Sequence, residues 1–170
     1  NDIIDYIEKK GFGKRSAQYH LRDWLISRQR YWGPPIPMIY CKKCDWQPVP
    51  EKELPVLLPD VKDWRPPSSL RSSGQATSPL AGHPEFYETK CPNCGGKARR
   101  ETDVSDTFLD SLWYFFRYIS TEFNDRPFDK ARVKKWLPVT MYIGGAEHSV
   151  LHLLYSRFIT MVFKDMSLID

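Results

Sequence analysis

Two Cys-x-x-Cys pairs account for all four cysteines of this chain, and they constrain its fold more than any other feature of the sequence. The first pair, Cys41 and Cys44, lies in "CKKC", and the second, Cys91 and Cys94, lies in "CPNCGG". Each tight turn presents two sulfur atoms, so two turns close a tetrahedral site of four thiolates even across a long intervening segment. The lysines favour the thiolate form, and the proline and glycines suit tight turns. The pattern therefore predicts a structural zinc ion bound by these four residues.

Two disulfide bonds are the alternative interpretation of the same cysteines. Four cysteines allow three pairings, and a secreted chain would make disulfides plausible. Nothing in the sequence indicates secretion, so zinc is the preferred interpretation. Because four protein thiolates leave no coordination position open for water, the metal is expected to stabilise the structure and to take no part in catalysis.

The composition is that of a globular protein with a mild positive charge. Of the 170 residues, 41% are hydrophobic and 14% aromatic, which is enough to bury a core and excludes wholesale disorder. The net charge of +4 and the sequence pI near 8.8 are compatible with an anionic partner. The most apolar run, "SVLHLLYSRFITMVF", is interrupted by His152 and Arg157 and is too short to span a bilayer. We expect a soluble, cytoplasmic protein with one medium domain, or one domain carrying an insertion.

Three blocks of different character follow one another along the chain. Residues 1–35 carry two amphipathic stretches that predict helices, the first ended by Gly11 and the second by "GPPIP". Residues 36–100 contain the cysteines, most of the prolines and a polar loop around residues 66–85. They predict an inserted zinc-binding module with short strands. Residues 101–170 become helical again and form the third block.

The third block has a helix–strand–helix pattern. Asp106 is a candidate N-cap for a strongly apolar helix whose hydrophobic positions begin at Phe108. Residues 139–143 predict a buried strand, followed by Gly144-Gly145 and a long helix. This order resembles part of an open parallel sheet of the Rossmann type, in which ligands bind beyond the carboxyl ends of strands. The predicted fold class is therefore α/β, with a small zinc-ribbon-like module inserted.

The stretch "YIGGAEH" is the strongest candidate for a binding site. Gly144 and Gly145 let a ligand approach the backbone closely because they carry no Cβ atom. Glu147 is suited to accept two hydrogen bonds from a ribose diol, with His148 beside it. The alternative is a tight connection between strand and helix, in which Glu147 favours the helix N-terminus electrostatically. Spacing alone leaves both interpretations open.

Histidines, arginines and tryptophans near these motifs have plainer interpretations. His148 and His152 lie one helical turn apart, as metal ligands do, but the apolar residues around His152 favour a packing role. Arg22, Arg28 and Arg30 are suited to grip phosphates, or else they form a solvated helix face. Four tryptophans are expected in the core by default: Trp24, Trp32, Trp113 and Trp136. No arrangement of nucleophile, base and orienting acid marks an independent active site.

Three long motifs together resemble consecutive landmarks of leucyl-tRNA synthetase, a class I aminoacyl-tRNA synthetase. They are "YHLRDWLISRQRYWGPPIP", "DTFLDSLWYFFRY" and "LPVTMYIGGAEHSVLHLLYSRF". The resemblance covers nearly the whole chain in the order of the family. The "SRQRYWG" segment is also similar to one in isoleucyl and valyl enzymes, whereas the other two motifs point to the leucyl branch.

The resemblance implies a Rossmann-like catalytic domain that activates leucine with ATP and Mg²⁺ and transfers it to tRNA(Leu). It implies an editing domain mostly upstream of Asn1, and it matches residues 36–100 to a small zinc domain. By similarity, ATP would be bound by Gly144, Gly145 and Glu147. The leucine pocket would be lined by His148, Leu109, Phe115 and Trp32. The acceptor end of tRNA would be guided by Arg22, Arg28 and Arg30, and the rest of the synthetase chain would be a further partner.

The chain departs from the family pattern at two positions and lacks two signatures. Leu112 stands where the family usually has serine, on the pocket wall, and His20 stands where it usually has arginine, on the supposed tRNA side. The "HIGH" and "KMSKS" signatures, which stabilise charge on the α-phosphate, are absent. Because the chain also starts at Asn1, without an initiator Met, we expect an internal piece that is inactive alone. The alternatives are a stand-alone zinc-containing RNA-binding module, a split synthetase subunit, or a zinc-stapled domain for protein contacts.

Overall fold

In the part of the chain that the structure describes, the strands form two antiparallel sheets. The computed structural model describes residues 2–20, 22–65 and 77–170. Within them, the strands are β1 (Ser27–Arg28), β2 (Met38–Cys41), β3 (Asp45–Pro48), β4 (Glu88–Lys90), β5 (Lys97–Arg100) and β6 (Val104–Ser105). The larger sheet has the order β3-β2-β5-β4, and the smaller sheet pairs β1 with β6.

A parallel sheet was predicted, but every strand pairing in the described residues is antiparallel. In the larger sheet, each cysteine turn joins two neighbouring strands directly, the first joining β2 to β3 and the second joining β4 to β5. Tight turns of this kind join antiparallel strands, whereas parallel strands need a long crossover connection. The short strands predicted for the zinc module are confirmed.

The helices lie mainly at the two ends of the chain. They are α1 (Asp2–Lys9), α2 (Pro84–Tyr87), α3 (Thr107–Ser111), α4 (Tyr114–Tyr118), α5 (Lys130–Trp136) and α6 (His152–Asp165). Short 3-10 turns cover Glu51–Glu53, Pro79–Gly82 and Ala146–Ser149. The predicted first helix is confirmed as α1, which has Lys9 in its last turn and is followed by Gly11 at φ +72°. Within the described ranges, no helix is long and apolar enough to cross a membrane.

The second helix predicted in the first block is not present in its described part. Residues 22–32 contain only β1, which pairs with β6 through Ser27 opposite Ser105. The Asp106 backbone N–H also donates to the Ile26 carbonyl at 2.7 Å. These distant partners satisfy the backbone groups that a helix would have satisfied internally.

The apolar helix predicted from residue 107 onward is divided into α3 and α4. The Asp106 carboxylate accepts a hydrogen bond from the Phe108 N–H at 3.0 Å, which confirms the predicted N-cap. The helix breaks at Leu112 and Trp113, where Trp113 has φ −123° and ψ 17°. Leu112 is fully buried, and its carbonyl accepts a hydrogen bond from the Ser156 hydroxyl at 2.9 Å.

Many of the buried hydrophobic side chains in the described residues pack into two separate clusters. The first lies beside the larger sheet and contains Leu80, Phe86 and Val104. The second lies among the C-terminal helices and contains Phe116, Phe128 and Val133, with Trp113 packed against it. Of the tryptophans predicted in the core, Trp24 and Trp113 are partly buried, whereas Trp32 and Trp136 are mostly exposed, so the prediction was wrong for those two.

Residues 139–143 do not form the buried strand that was predicted. Val139, Met141 and Ile143 are 42%, 73% and 85% exposed. In the described chain no strand pairs with this segment, and an extended segment without a neighbour has no ladder to join. The long helix expected after the glycines is confirmed as α6, which begins after a 3-10 turn. Most of the predicted polar loop, residues 66–76, lies outside the described residues.

Candidate functional site

The four cysteine sulfurs come together in one cluster. All four Sγ atoms lie within 4.8 Å of one another, and Cys41 Sγ is 3.7 Å from Cys94 Sγ. All four cysteines are free, so the alternative of two disulfides is not observed. Cys41 and Cys91 are buried, Cys44 is half-buried and Cys94 is exposed.

Sheet pairing and two tight turns explain why the sulfurs meet. The register of β2 with β5, with Tyr40 opposite Arg99, sets the two cysteine turns side by side. Asp45 closes the first turn at φ +59°, and Gly95 closes the second at φ +70°. In the second turn, the Gly95 N–H donates to the Cys91 carbonyl at 2.9 Å. Backbone geometry therefore aims both pairs of sulfurs at one point.

The chemistry of this cluster fits a thiophilic metal ion. A tetrahedral ion with Zn–S bonds of 2.3 Å needs sulfurs about 3.8 Å apart, close to the observed separation of Cys41 and Cys94. A hydrogen bond with Cys94, together with burial, raises the pKa of Cys44 to about 12. The backbone N–H groups of Cys94 and Asn93 lower the pKa of Cys91 to about 7, against the effect of burial. Thiols packed this closely without a cation resist ionising together, so a bound cation would complete the site.

The "GGAEH" segment forms an exposed loop that leads into the 3-10 turn Ala146–Ser149. Neither glycine has a positive φ, so neither is required by a left-handed backbone conformation. Both are required instead because other side chains lie close to their backbone. A Cβ atom on Gly145 would lie 2.6 Å from Glu147 Cδ, because the carboxylate folds back over the glycine backbone. On Gly144, a Cβ atom would lie 3.1 Å from His148 Cδ2. The glycines therefore let Glu147 and His148 lie against bare backbone.

The acidic and imidazole groups of this segment face solvent beside each other. His148 Nε2 lies 3.7 Å from Glu147 Oε1, and their side chains are 50% and 67% exposed. Glu147 also lies in the first turn of the 3-10 helix. This position agrees with the alternative interpretation, in which its negative charge stabilises the N-terminus of the helix. An exposed carboxylate with free oxygen lone pairs is able to accept hydrogen bonds from a ligand.

A cluster of aromatic rings surrounds His152, directly behind this segment. The Tyr142 hydroxyl and His152 Nε2 are 2.6 Å apart. Phe108, Tyr114 and His148 place their ring centroids 6.3, 6.2 and 6.0 Å from the centroid of His152. His152 is only 9% exposed, which confirms its predicted packing role.

Burial governs the protonation of this cluster. Burial, and next the positive charge of His148, lower the pKa of His152. Burial, together with a hydrogen bond to Tyr114, raises the pKa of Tyr142. Both groups are therefore held neutral near pH 7. Tyr142 and Tyr114 were not singled out from the sequence, although Tyr142 lies only two residues before the glycine pair.

The structure brings two of the predicted leucine-binding residues to this cluster and leaves one apart from it. Phe115 lies 6.2 Å from the Tyr142 ring, and His148 contacts His152 as described. Leu109 is half-buried on α3. Trp32 is 70% exposed and packs edge-on against Tyr31, outside the cluster.

The three predicted tRNA-binding arginines have different surroundings. Arg28 forms an ion pair with the Asp106 carboxylate, which also accepts a hydrogen bond from the Trp24 indole at 3.3 Å. Arg30 donates to the Thr107 hydroxyl at 2.7 Å and remains exposed. Arg22 is exposed. Arg28 thus helps to fix the chain against α3, while Arg22 and Arg30 present their charge to solvent.

Comparison with known proteins defines the class to which this fold and these motifs belong. The family model described as "tRNA synthetases class I (I, L, M and V)" matches residues 9–167. The chain therefore belongs to the class I tRNA synthetase family.

Within that family, the similar proteins are leucine–tRNA ligases. The enzyme of Thermotoga maritima is 57% identical over 168 residues, covering 99% of this chain and 19% of the relative. That of Thermosipho melanesiensis is 58% identical over 164 residues, covering 96% and 19%. The predicted resemblance to leucyl-tRNA synthetase is confirmed. The chain spans about a fifth of the length of the curated relatives it matches.

A solved structure agrees with these relatives. It is described as the ternary complex of Agrobacterium radiobacter K84 agnB2 LeuRS with tRNA and LeuAMS. Its TM-score against this chain is 0.84 at 45% sequence identity, covering 99% of this chain and 20% of that chain. The likeness therefore extends to the three-dimensional arrangement of nearly the whole described chain.

Proposed function

We propose that this chain is part of the catalytic domain of a leucine–tRNA ligase, which activates leucine with ATP and Mg²⁺ and transfers it to tRNA(Leu). The observation that carries the proposal is the "GGAEH" loop, exposed beside a ring cluster, in a chain whose relatives are leucine–tRNA ligases. The neighbouring structure contains tRNA and LeuAMS, which supports the same substrates here. We further propose that the protein acts in the cytoplasm.

The proposed ATP contacts are the bare backbone of Gly144 and Gly145 and the carboxylate of Glu147. The Glu147 carboxylate and the His148 ring lie against this backbone in the structure. An adenosine would reach the glycines once these two side chains turn aside, because no Cβ atom intervenes. The Glu147 side chain is 67% exposed, so it keeps oxygen lone pairs for the two hydroxyls of a ribose. Its present neighbour, His148, is 3.7 Å away and does not occupy those lone pairs with a short hydrogen bond.

The proposed leucine pocket lies beside the ring cluster. His148 and Phe115 reach the cluster through His152 and Tyr142. Leu109, which is half-buried on α3, is proposed as an aliphatic wall. Trp32 is retained as a fourth member on the resemblance alone. A pocket walled by such groups selects leucine chiefly by apolar contact, which discriminates one methylene by about 10- to 200-fold.

The proposed tRNA contacts are Arg22 and Arg30, whose charges face solvent, with Arg28 beside them. Because Arg28 is paired with Asp106, we propose that its main part is to position the neighbouring arginines. We also propose that residues 139–143 form a strand of a Rossmann-like parallel sheet within a longer protein. The exposed side chains of Met141 and Ile143 support this, since they offer apolar surface for packing.

We propose that the four cysteines bind zinc. We also propose that residues 36–100 form a zinc-binding module inserted in the chain. Zinc would cross-link the two hairpins of the larger sheet through four thiolates. The spacing of the sulfurs and the absence of disulfides support this. Residues 1–35 and 101–170 would then be the two catalytic-domain segments that flank the module.

Substitution of Glu147 in the full-length protein tests the proposed function. Glu147→Gln keeps the size of the side chain but removes the charge that strengthens hydrogen bonds to ribose. A charged hydrogen bond contributes about 1.5–3 kcal/mol, so kcat/KM for ATP in leucine-dependent ATP–pyrophosphate exchange should fall about 10- to 100-fold. Glu51→Gln, an exposed glutamate in a distant 3-10 turn, is the matched control. Unchanged exchange in Glu147→Gln would overturn the site assignment.

A further inference from the structure

One face of the larger sheet is open to solvent and carries a distinctive set of side chains. Directly opposed residues of antiparallel strands point to the same face of a sheet. Tyr40 is opposite both Trp46 and Arg99, Glu88 is opposite Arg99, and Lys90 is opposite Lys97. All six are exposed. We call this set the open face: Tyr40, Trp46, Glu88, Lys90, Lys97 and Arg99.

Two aromatic rings stand next to each other on the open face. The ring centroids of Tyr40 and Trp46 are 5.3 Å apart, with planes inclined at 57°. The two residues are 43% and 46% exposed, whereas Ile39, on the opposite face of β2, is 1% exposed. Burial on one side of the strand and open rings on the other indicate that these rings do not serve the core. In sheets that bind single-stranded nucleic acid, exposed rings are the stacking platforms for unpaired bases.

The charge of the open face complements a polyanion. Three of its six residues, Lys90, Lys97 and Arg99, are cations, and Glu88 is its single carboxylate. Lys42 and Lys43, in the turn between β2 and β3, add two exposed cations at one end of the sheet. Cations interleaved with aromatic rings are suited to the phosphates and bases of one strand.

Arg99 is already arranged for stacking. Its guanidinium carbon lies 4.1 Å from the centroid of the Tyr87 ring. No carboxylate forms an ion pair with it in the part of the chain that the structure describes. Its charge therefore remains available to a phosphate, while the Tyr87 ring limits its movement.

We propose that the open face binds single-stranded RNA, with bases on Tyr40 and Trp46 and phosphates on Lys90, Lys97 and Arg99. Single-stranded nucleic acid is the occupant because only unpaired bases expose the flat surfaces that these rings stack against. The choice of RNA over DNA rests on the proposed function, since a tRNA ligase acts on RNA. The site is distinct from the "GGAEH" loop and from the ring cluster around His152.

Binding of a short RNA by the full-length protein tests the proposal. The probe is a fluorescein-labelled single-stranded RNA of about 12 nucleotides, followed by fluorescence anisotropy. Tyr40→Ala with Trp46→Ala should raise its Kd about 10-fold or more, because two stacking platforms are lost. Lys97→Ala should lower the slope of log Kd against log salt concentration by about 0.7. Metal content and unfolding temperature show whether each variant remains folded.

Matched control variants distinguish a specific effect of the open face from the general loss of an exposed ring or cation. Trp64→Ala removes an exposed tryptophan outside the sheet, and Lys14→Ala removes an exposed cation far along the chain. Neither control should change the Kd by more than twofold.

In parallel, RNA carrying 4-thiouridine is photo-crosslinked to the unmodified protein, and the crosslinked peptides are identified. Crosslinks in residues 38–48 and 88–100 are expected. Crosslinks only elsewhere, or a Kd that the Tyr40→Ala/Trp46→Ala double variant raises no more than Trp64→Ala does, overturn the proposal.

The outcomes separate this proposal from the proposed function. If the unmodified protein lacks leucine-dependent ATP–pyrophosphate exchange but its RNA crosslinks lie on the open face, the ligase assignment fails and the RNA site stands. If exchange is present and the crosslinks lie elsewhere, the ligase assignment stands and the RNA site fails.

Discussion

Two segments of this chain were both predicted to contain strands, and they differ sharply in the structure. The larger sheet and its two cysteine turns, residues 38–48 and 88–100, are here called the cysteine module. In it, β2 pairs on both sides and Ile39 is 1% exposed. In residues 139–143, no strand is formed in the described chain and Ile143 is 85% exposed. The difference shows that apolar residues in extended sequence form a strand only where hydrogen-bonding neighbours are supplied.

The two segments obtain their neighbours in different ways. Each hairpin of the cysteine module closes through a short turn, so its partner strand is a few residues away. A strand of a parallel sheet must instead find a partner across a long connection. Each hairpin thus forms from local information, and the two hairpins then pair through β2 and β5, where Tyr40 is opposite Arg99. Residues 139–143 have neither kind of partner in the described chain. Four sets of variants test this contrast, in order of decreasing expected effect.

Cys91→Ser should have the largest effect, because it removes a buried thiol from the cluster that we propose binds zinc. Loss of a structural metal site is among the few single changes that cost more than about 4 kcal/mol. Metal content, measured by mass spectrometry, should fall below one ion per chain, and thermal unfolding should begin earlier. Lys43→Ser, in the neighbouring cysteine turn, should keep both properties. A Cys91→Ser protein with full metal content and unchanged unfolding would show that the module does not depend on the cluster.

Ile39→Ala and Ile143→Ala compare the two segments directly with one type of side chain. Ile39→Ala should lower the free energy of unfolding by about 2–5 kcal/mol, because it leaves a cavity in the module. Ile143→Ala should change it by less than about 0.5 kcal/mol in this chain, because the side chain is exposed. Urea unfolding of both variants measures the difference. Equal costs would mean that residues 139–143 are packed as firmly as the module.

Asp106→Ala should have an intermediate effect, at the junction where β6 leads into α3. It removes the N-cap of α3 and leaves Arg28 without its ion-pair partner, at an expected cost of about 1–3 kcal/mol. Asp106→Asn keeps an N-cap and loses only the charge, so it should cost less. Chemical denaturation of the two variants separates these contributions. If Asn cost as much as Ala, the ion pair with Arg28 would outweigh the cap.

His152 should make a small, pH-dependent contribution behind the "GGAEH" segment. Its pKa is lowered in the folded protein, below an unfolded value of about 6.5. As pH falls through that value, the unfolded chain takes up a proton that the folded chain resists, so stability should decrease. His152→Gln should show a weaker decrease between pH 8 and pH 5.5 in urea unfolding. The thiols titrate in both proteins, so their contribution cancels in the comparison. A parallel pH dependence of the two proteins would contradict this assignment.

The sequence by itself determined the features that depend on nearby residues. The spacing of Cys41, Cys44, Cys91 and Cys94 predicted two tight turns with paired sulfurs, and the preference of zinc for four thiolates predicted that the two pairs meet. Asp106 was identified as an N-cap because its acceptor lies only two residues from the amide it caps. The ends of α1 and the packing role of His152 followed from glycine and apolar spacing in the same way.

Only the tertiary structure decided which distant groups meet. It replaced a predicted helix with β1, because β6 offered backbone partners from far along the chain. Ser27 pairs with Ser105, 78 positions away, and Arg28 pairs with Val104, 76 positions away. It paired Tyr142 with His152 and left residues 139–143 without a strand neighbour. The hydrophobic pattern of a helix or strand shows which of its sides is apolar, but it does not show which other segment packs against that side. That partner comes from a distant part of the sequence, and the loop between them must close to bring the two together. Helix caps and tight turns involve residues only a few positions apart, and for that reason they could be predicted from the sequence alone.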